Sequence, residues 1–117
     1  MEKKYLIPLF DDQVAPRFDL ATEVSIVTLD AKGQPVEKRT VVLPRASAED
    51  LCHLILLEKI ETLVCGGIED EYYQYLKWKK VTVLDSVIGS YKDVIKRLGA
   101  IPSEKGVPTA KKIREEK

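Results

Sequence analysis

Two stretches hold the residues whose types and spacing could do chemistry. The first is Asp11-Asp12-Gln13-Val14-Ala15-Pro16-Arg17-Phe18-Asp19, and the second is Leu63-Val64-Cys65-Gly66-Gly67-Ile68-Glu69-Asp70. In the first, Arg17 offers a permanently charged donor that suits a carboxylate, a phosphate or another anion. The competing role for Arg17 is a surface salt bridge to Asp11, Asp12 or Asp19. In the second, three apolar residues run into two glycines and then an acidic, helix-like pattern. That is the pattern of a buried strand, a tight turn and a helix start, where open backbone N–H groups and the helix dipole favour anions. The paired glycines let a ligand, or another segment of the chain, come close to the backbone. They also serve a plain strand-to-helix corner, since no phosphate-binding fingerprint accompanies them.

Other candidates have structural counterparts, which are the commoner roles for such residues. Cys65 is either a soft thiolate ligand for a metal or a small buried hydrophobe. Phe18 is a stacking platform or a core anchor for its loop. Cys52 and His53 are adjacent, and neighbouring residues on a helix point apart, which counts against a shared metal. Trp78, between Lys77 and Lys79, is a partner surface or the underside of a helix. Two cysteines and one histidine cannot supply a four-cysteine cluster or zinc site. Asp11, Asp12, Asp19, Glu69 and Asp70 raise two-metal nuclease chemistry. That chemistry needs carboxylates held together near the sheet centre, and these lie in a loop and a helix start. Nothing in the sequence forms a Ser/His/Asp set, a P-loop or a zinc-protease motif.

The elements that must position these residues follow from periodicity. Tyr5–Phe10 is a dense apolar strand with an awkward Pro8, because proline cannot donate to a central ladder. Residues 11–19 lack periodicity and form a loop. Glu23–Leu29 and Val36–Leu43 are strands joined by a hairpin at Asp30–Gln34. Ser47 and Asp50 resemble a capping pair for a helix with Leu51, Leu54 and Ile55 on one stripe. Thr62–Cys65 is a strand. A helix with Ile68, Tyr72, Tyr75 and Leu76 on one face follows the glycines. Val81–Leu84 is a strand, and Ser90 opens a helix carrying Tyr91, Val94, Ile95 and Leu98, with Gly99 as its stop. The order is β-β-β-α-β-α-β-α. Alternating strands and helices imply parallel crossovers, and the first three strands form a meander. A mixed five-stranded sheet of order 3-2-1-4-5, with strand two antiparallel, satisfies both. The loop at 11–19 and the glycine corner then meet at the switch point between strands one and four, where α/β sheets bind ligands.

Composition narrows the partners. Lys plus Arg and Asp plus Glu each number 19, so the formal net charge is zero, which argues against a general nucleic-acid binder. No apolar run approaches the roughly 20 residues of a membrane span. Met1-Glu2-Lys3-Lys4 leads into a strand without a signal-peptide core, which places the protein in the cytoplasm. Residues 1–102 form one α/β domain, and 103–117 a charged, flexible tail.

Across residues 4–98 the chain resembles the dinitrogenase iron–molybdenum cofactor biosynthesis family, whose members bind or carry nitrogenase cofactors and their precursors. The likeness rests on Asp12–Asp19, with a valine, a small residue, two variable positions and a phenylalanine at Val14, Ala15 and Phe18. It continues in Val24-Ser25-Ile26-Val27, in Leu63-Val64 before Gly66-Gly67-Ile68, and in the strand and helix at 81–98. The resemblance implies a ribonuclease-H-like α/β fold and a nitrogen-fixation accessory role in binding and carrying, not as an enzyme. It implies a metallocluster of the iron–molybdenum or iron–sulfur type as carried cargo, and a protein partner in cofactor delivery. Asp12, Arg17, Phe18, Cys65, Gly66 and Gly67 become the binding residues, with Cys65 the candidate metal ligand. Many members carry a histidine immediately before the phenylalanine, and Arg17 stands there in this chain. A guanidinium donates hydrogen bonds and does not ligate iron or molybdenum, so the departure speaks against ligation at this position and leaves anion binding open. The alternative on the same fold is a regulatory or protein-interaction module that binds no metal.

Overall fold

The computed structural model describes residues 2–100. The expected tail at 103–117 and the end of the expected domain at residue 102 lie outside the described residues. Among the described residues six strands form one mixed sheet: β1 (Lys3–Phe10), β2 (Gln13–Val14), β3 (Glu23–Leu29), β4 (Pro35–Val42), β5 (Thr62–Val64) and β6 (Thr82–Leu84). The main path runs β4-β3-β1-β5-β6, with β2 paired to β1. The order of the five longer strands is the expected one, and β3 lies antiparallel between β1 and β4. β1, β5 and β6 are parallel.

The strand count is corrected from five to six. Gln13–Val14 lies in the stretch read as a loop, where two residues are too short to show alternation. Asp11 adopts φ 57, a left-handed conformation that aspartate tolerates better than most residues. The resulting tight turn folds Val14 back beside Leu9. Pro8 then finds its explanation. The parallel pairing of β1 with β5 ends at Leu6↔Leu63, and β2 takes over the same edge at Leu9. Pro8 sits between the two partners, and its carbonyl accepts from the Ala15 N–H at 2.9 Å. In an extended strand a residue's N and C=O face the same neighbour, so the missing donor falls in the gap.

Strand alternation divides the core between two faces. Leu6, Val24, Ile26 and Leu63 pack with Leu51, Ile55 and Leu76, which belong to helices α1 (Ala48–Leu57) and α2 (Asp70–Trp78). Tyr5, Ile7, Val27 and Val64 pack with Val94 and Leu98 of α3 (Tyr91–Ala100). The Ser47 hydroxyl caps α1 by accepting from the Asp50 N–H at 3.2 Å, as the capping pair implied. Gly99 is corrected: it lies inside α3 rather than after it. A Cβ at Gly99 would meet the Gly33 carbonyl at 2.4 Å, so this glycine serves close packing against the β3–β4 hairpin.

Candidate functional site

The loop after β1 and the corner after β5 meet through their backbones. The Gly67 N–H donates to the Pro16 carbonyl at 2.7 Å, and the Phe18 N–H donates to the Gly67 carbonyl at 2.8 Å. Arg17 and Gly67 form a parallel bridge. The crevice between the ends of β1 and β5 is therefore closed by the chain's own segment 15–18. Gly66 shows why a glycine is needed there. A Cβ would lie 2.5 Å from the Ala15 carbonyl oxygen and 2.7 Å from that of Pro16. The conformation at Gly66 and Gly67 is not left-handed, so the requirement is space rather than φ.

This closure changes the roles assigned from the sequence. The Gly67 N–H is engaged with Pro16 and is not offered to a ligand. The α2 N-terminus presents Glu69, Asp70 and Glu71, and no side chain caps it. Three carboxylates there oppose an incoming anion, whatever the dipole contributes. Phe18 is fully buried, with its ring centroid 6.3 Å from that of Tyr72. It anchors the loop to α2 and does not face solvent as a stacking platform. Cys65 is also fully buried, and burial pushes its thiol up to about 12. A neutral thiol in the core is not a ligand presented to the crevice. Cys52 is buried as well, and desolvation raises it to about 11. His53 is exposed. Among the described residues, no group of three or more His, Cys, Asp or Glu side chains could hold a metal ion. Asp12 is exposed, and its carbonyl accepts from the Tyr91 N–H at 2.8 Å, so its backbone ties the loop to α3.

Arg17 keeps the character expected of it. Its side chain is 57% exposed. Its Nε and Nη2 donate to the two carboxylate oxygens of Asp19 at 3.1 and 2.8 Å. The arginine borders an open cavity of about 340 Å³ whose lining includes Leu9, Phe10, Pro16 and Leu20. Phe10 is 67% and Leu20 60% exposed. Sequence reasoning missed this apolar groove. The available signal was two large apolar residues flanking the loop outside any periodic core pattern. The arrangement supplies one cation beside an apolar wall at the C-terminal end of a central strand. It can hold an anionic group and, beside it, an apolar body.

Comparisons with solved structures show the fold. PH0822 is similar over 83% of this chain and 88% of its own, at 22% identity and a TM-score of 0.77. A Methanocaldococcus jannaschii protein, provisionally described as a dinitrogenase, is 19% identical with a TM-score of 0.64, over 80% of this chain and 83% of its own. A Thermotoga protein, provisionally described as a NifB protein of the DUF35 family, is 19% identical with a TM-score of 0.63, over 89% and 90% of the two chains. No family model and no curated protein matches the sequence.

Proposed function

We infer that the protein is a non-catalytic binding protein of the nitrogenase-cofactor accessory type. It carries an anionic metallocluster, a cluster precursor or a related anion, and hands it to a protein partner. The observation that carries this reading is the Arg17–Gly67 pairing, which fixes Arg17 at the end of β1 beside an open groove. The descriptions of two structural neighbours as a dinitrogenase and a NifB protein support the same role. Arg17 supplies charge, and Leu9, Phe10 and Leu20 supply contact area. Ligands to the metal come from the cargo itself or from the partner.

A second reading is a regulatory or interaction module without metal. The exposure of Phe10 and Leu20 favours it, because neighbouring exposed apolar side chains suit a protein surface. Anaerobic incubation with an iron–sulfur or molybdenum cluster, followed by absorption spectra and metal analysis, separates the two. Uptake by the wild type that is lost in Arg17→Ala and kept in Cys52→Ala supports the carrier. A wild type that takes up no metal defeats it.

A further inference from the structure

A second cavity, of about 450 Å³, lies between α3 and β4 and is bordered by three lysines. Lys38 projects from β4, opposite Val27 in the β3–β4 register. Val27 belongs to the core that packs on α3, so Lys38 stands on the α3 side of the sheet. Lys92 and Lys96 lie one turn apart on α3. Like charges at that spacing repel. None of the three lysines meets a carboxylate within ion-pair distance among the described residues. Arg39, the next residue on β4, faces the other way and pairs with Glu58 at 2.6 Å. The positive charge is therefore left on the cavity side.

The cavity has an apolar floor as well as a charged rim. Pro35, Tyr91 and Ile95 contribute to it. The Tyr91 hydroxyl lies 2.6 Å from the hydroxyl of buried Ser25, which fixes the ring. The end wall is rigid for another reason. Gly33, at φ +81, and Gly99 back onto each other, and a Cβ at Gly33 would lie 2.1 Å from the Gly99 carbonyl oxygen. Asp93 of α3, between Lys92 and Lys96, is exposed and lies within ion-pair distance of none of the three lysines. Asp30 accepts from the N–H groups of Lys32 and Gln34 at 2.9 Å each. Glu37 alternates to the opposite face of β4 from Lys38.

The geometry points to a binding site for a small organic anion: a phosphate or carboxylate head held by Lys38, Lys92 and Lys96, with an apolar or aromatic body on Tyr91 and Ile95. This site is separate from the Arg17 groove. The groove lies at the C-terminal end of β1, whereas this cavity reaches the β3–β4 hairpin at the other end of the sheet. Its size falls within the range of small-molecule sites, roughly 300–1,000 Å³. Lysine acts here as a point charge and does not require the planar geometry of a bidentate arginine site.

The test is a titration of the full chain with phenyl phosphate, followed by amide chemical shifts. Inorganic phosphate and phenol are titrated separately. Saturable shifts at Gly33, Lys38, Tyr91 and Lys96 are expected with phenyl phosphate. Affinity should fall about threefold in Lys38→Gln and about tenfold in Lys92→Gln/Lys96→Gln, as charges at a part-exposed site are removed. Either lysine variant suffices if the other fails to fold. No saturable shift at these four amides overturns the proposal, whatever shifts appear at Arg17 and Gly67, and so does unchanged affinity, read at these amides, in the lysine variants. Equal affinity for inorganic phosphate removes the apolar subsite and also overturns it.

Discussion

Arg17 and Asp19 share two hydrogen bonds on a surface where water competes for both. An ion pair so exposed is worth about 1 kcal/mol or less, so a multiply charged ligand can displace Asp19. Two opposite effects follow. Arg17→Ala should weaken anion binding about tenfold or more, through loss of a charge-assisted bond. Asp19→Asn should strengthen it about two- to fivefold, by removing the internal competitor. Titration of both variants with the same cluster or anion checks this, and equal weakening by both would assign them a merely structural role. The buried thiols give a second prediction. Cys65 and Cys52, pushed up to about 12 and about 11 by burial, stay protonated at neutral pH. A thiol reagent at pH ~8 should label neither in the native protein and both in denaturant, at the rate of ordinary cysteine with pKa ~8.5. Fast native labelling of Cys65 would place its sulfur in the crevice after all.

At the scale of elements, the loop 11–20 is a built structure. It contains β2 and a 3-10 turn at Phe18–Leu20, and it is bonded to β1, to the glycine corner and to α3. Gly66→Ala should destabilise the protein by about 2–3 kcal/mol, because the new Cβ meets backbone atoms that cannot rotate away. Gly67→Ala should cost less, since its nearest contact is 3.2 Å. Urea midpoints of the two variants check the order, and the reverse order would put the close approach at the wrong glycine. The strands and helices were legible in the sequence because side chains write their periodicity. Tyr5, Leu6 and Ile7 alternate between the two cores, and Ser47 with Asp50 marks a helix start. The meeting of the loop and the corner was legible as topology. Its consequence was not, because Gly67 N–H to Pro16 and Phe18 N–H to Gly67 are backbone bonds with no side-chain signature. The N–H that looked open to an anion is paired within the chain. The α3–β4 cavity was hidden for a related reason: Lys38, Lys92 and Lys96 come together only through strand register and helix phase.

At the scale of the whole molecule, Glu58 ties three elements together. It follows the last turn of α1, and its Oε1 accepts from Lys4 Nζ of β1 at 3.3 Å and from Arg39 Nη2 of β4 at 2.6 Å. The Arg39 guanidinium, and after it the Lys4 ammonium, hold the Glu58 carboxyl below its ordinary value of 4.5. The unfolded chain, with the ordinary value, binds the proton more readily, so stability rises with pH across this interval. The contribution is complete above the ordinary value and is lost as pH falls through the lowered one. Glu58→Gln should therefore flatten the fall in the urea midpoint between about pH 6 and about pH 3, relative to wild type. The wild-type fall should also shrink in ~1 M salt, where the screening length is about 3 Å. An identical pH profile for Glu58→Gln and wild type would show that the bridge across β1, β4 and α1 does not hold in solution. The acid sensitivity would then belong to other carboxylates.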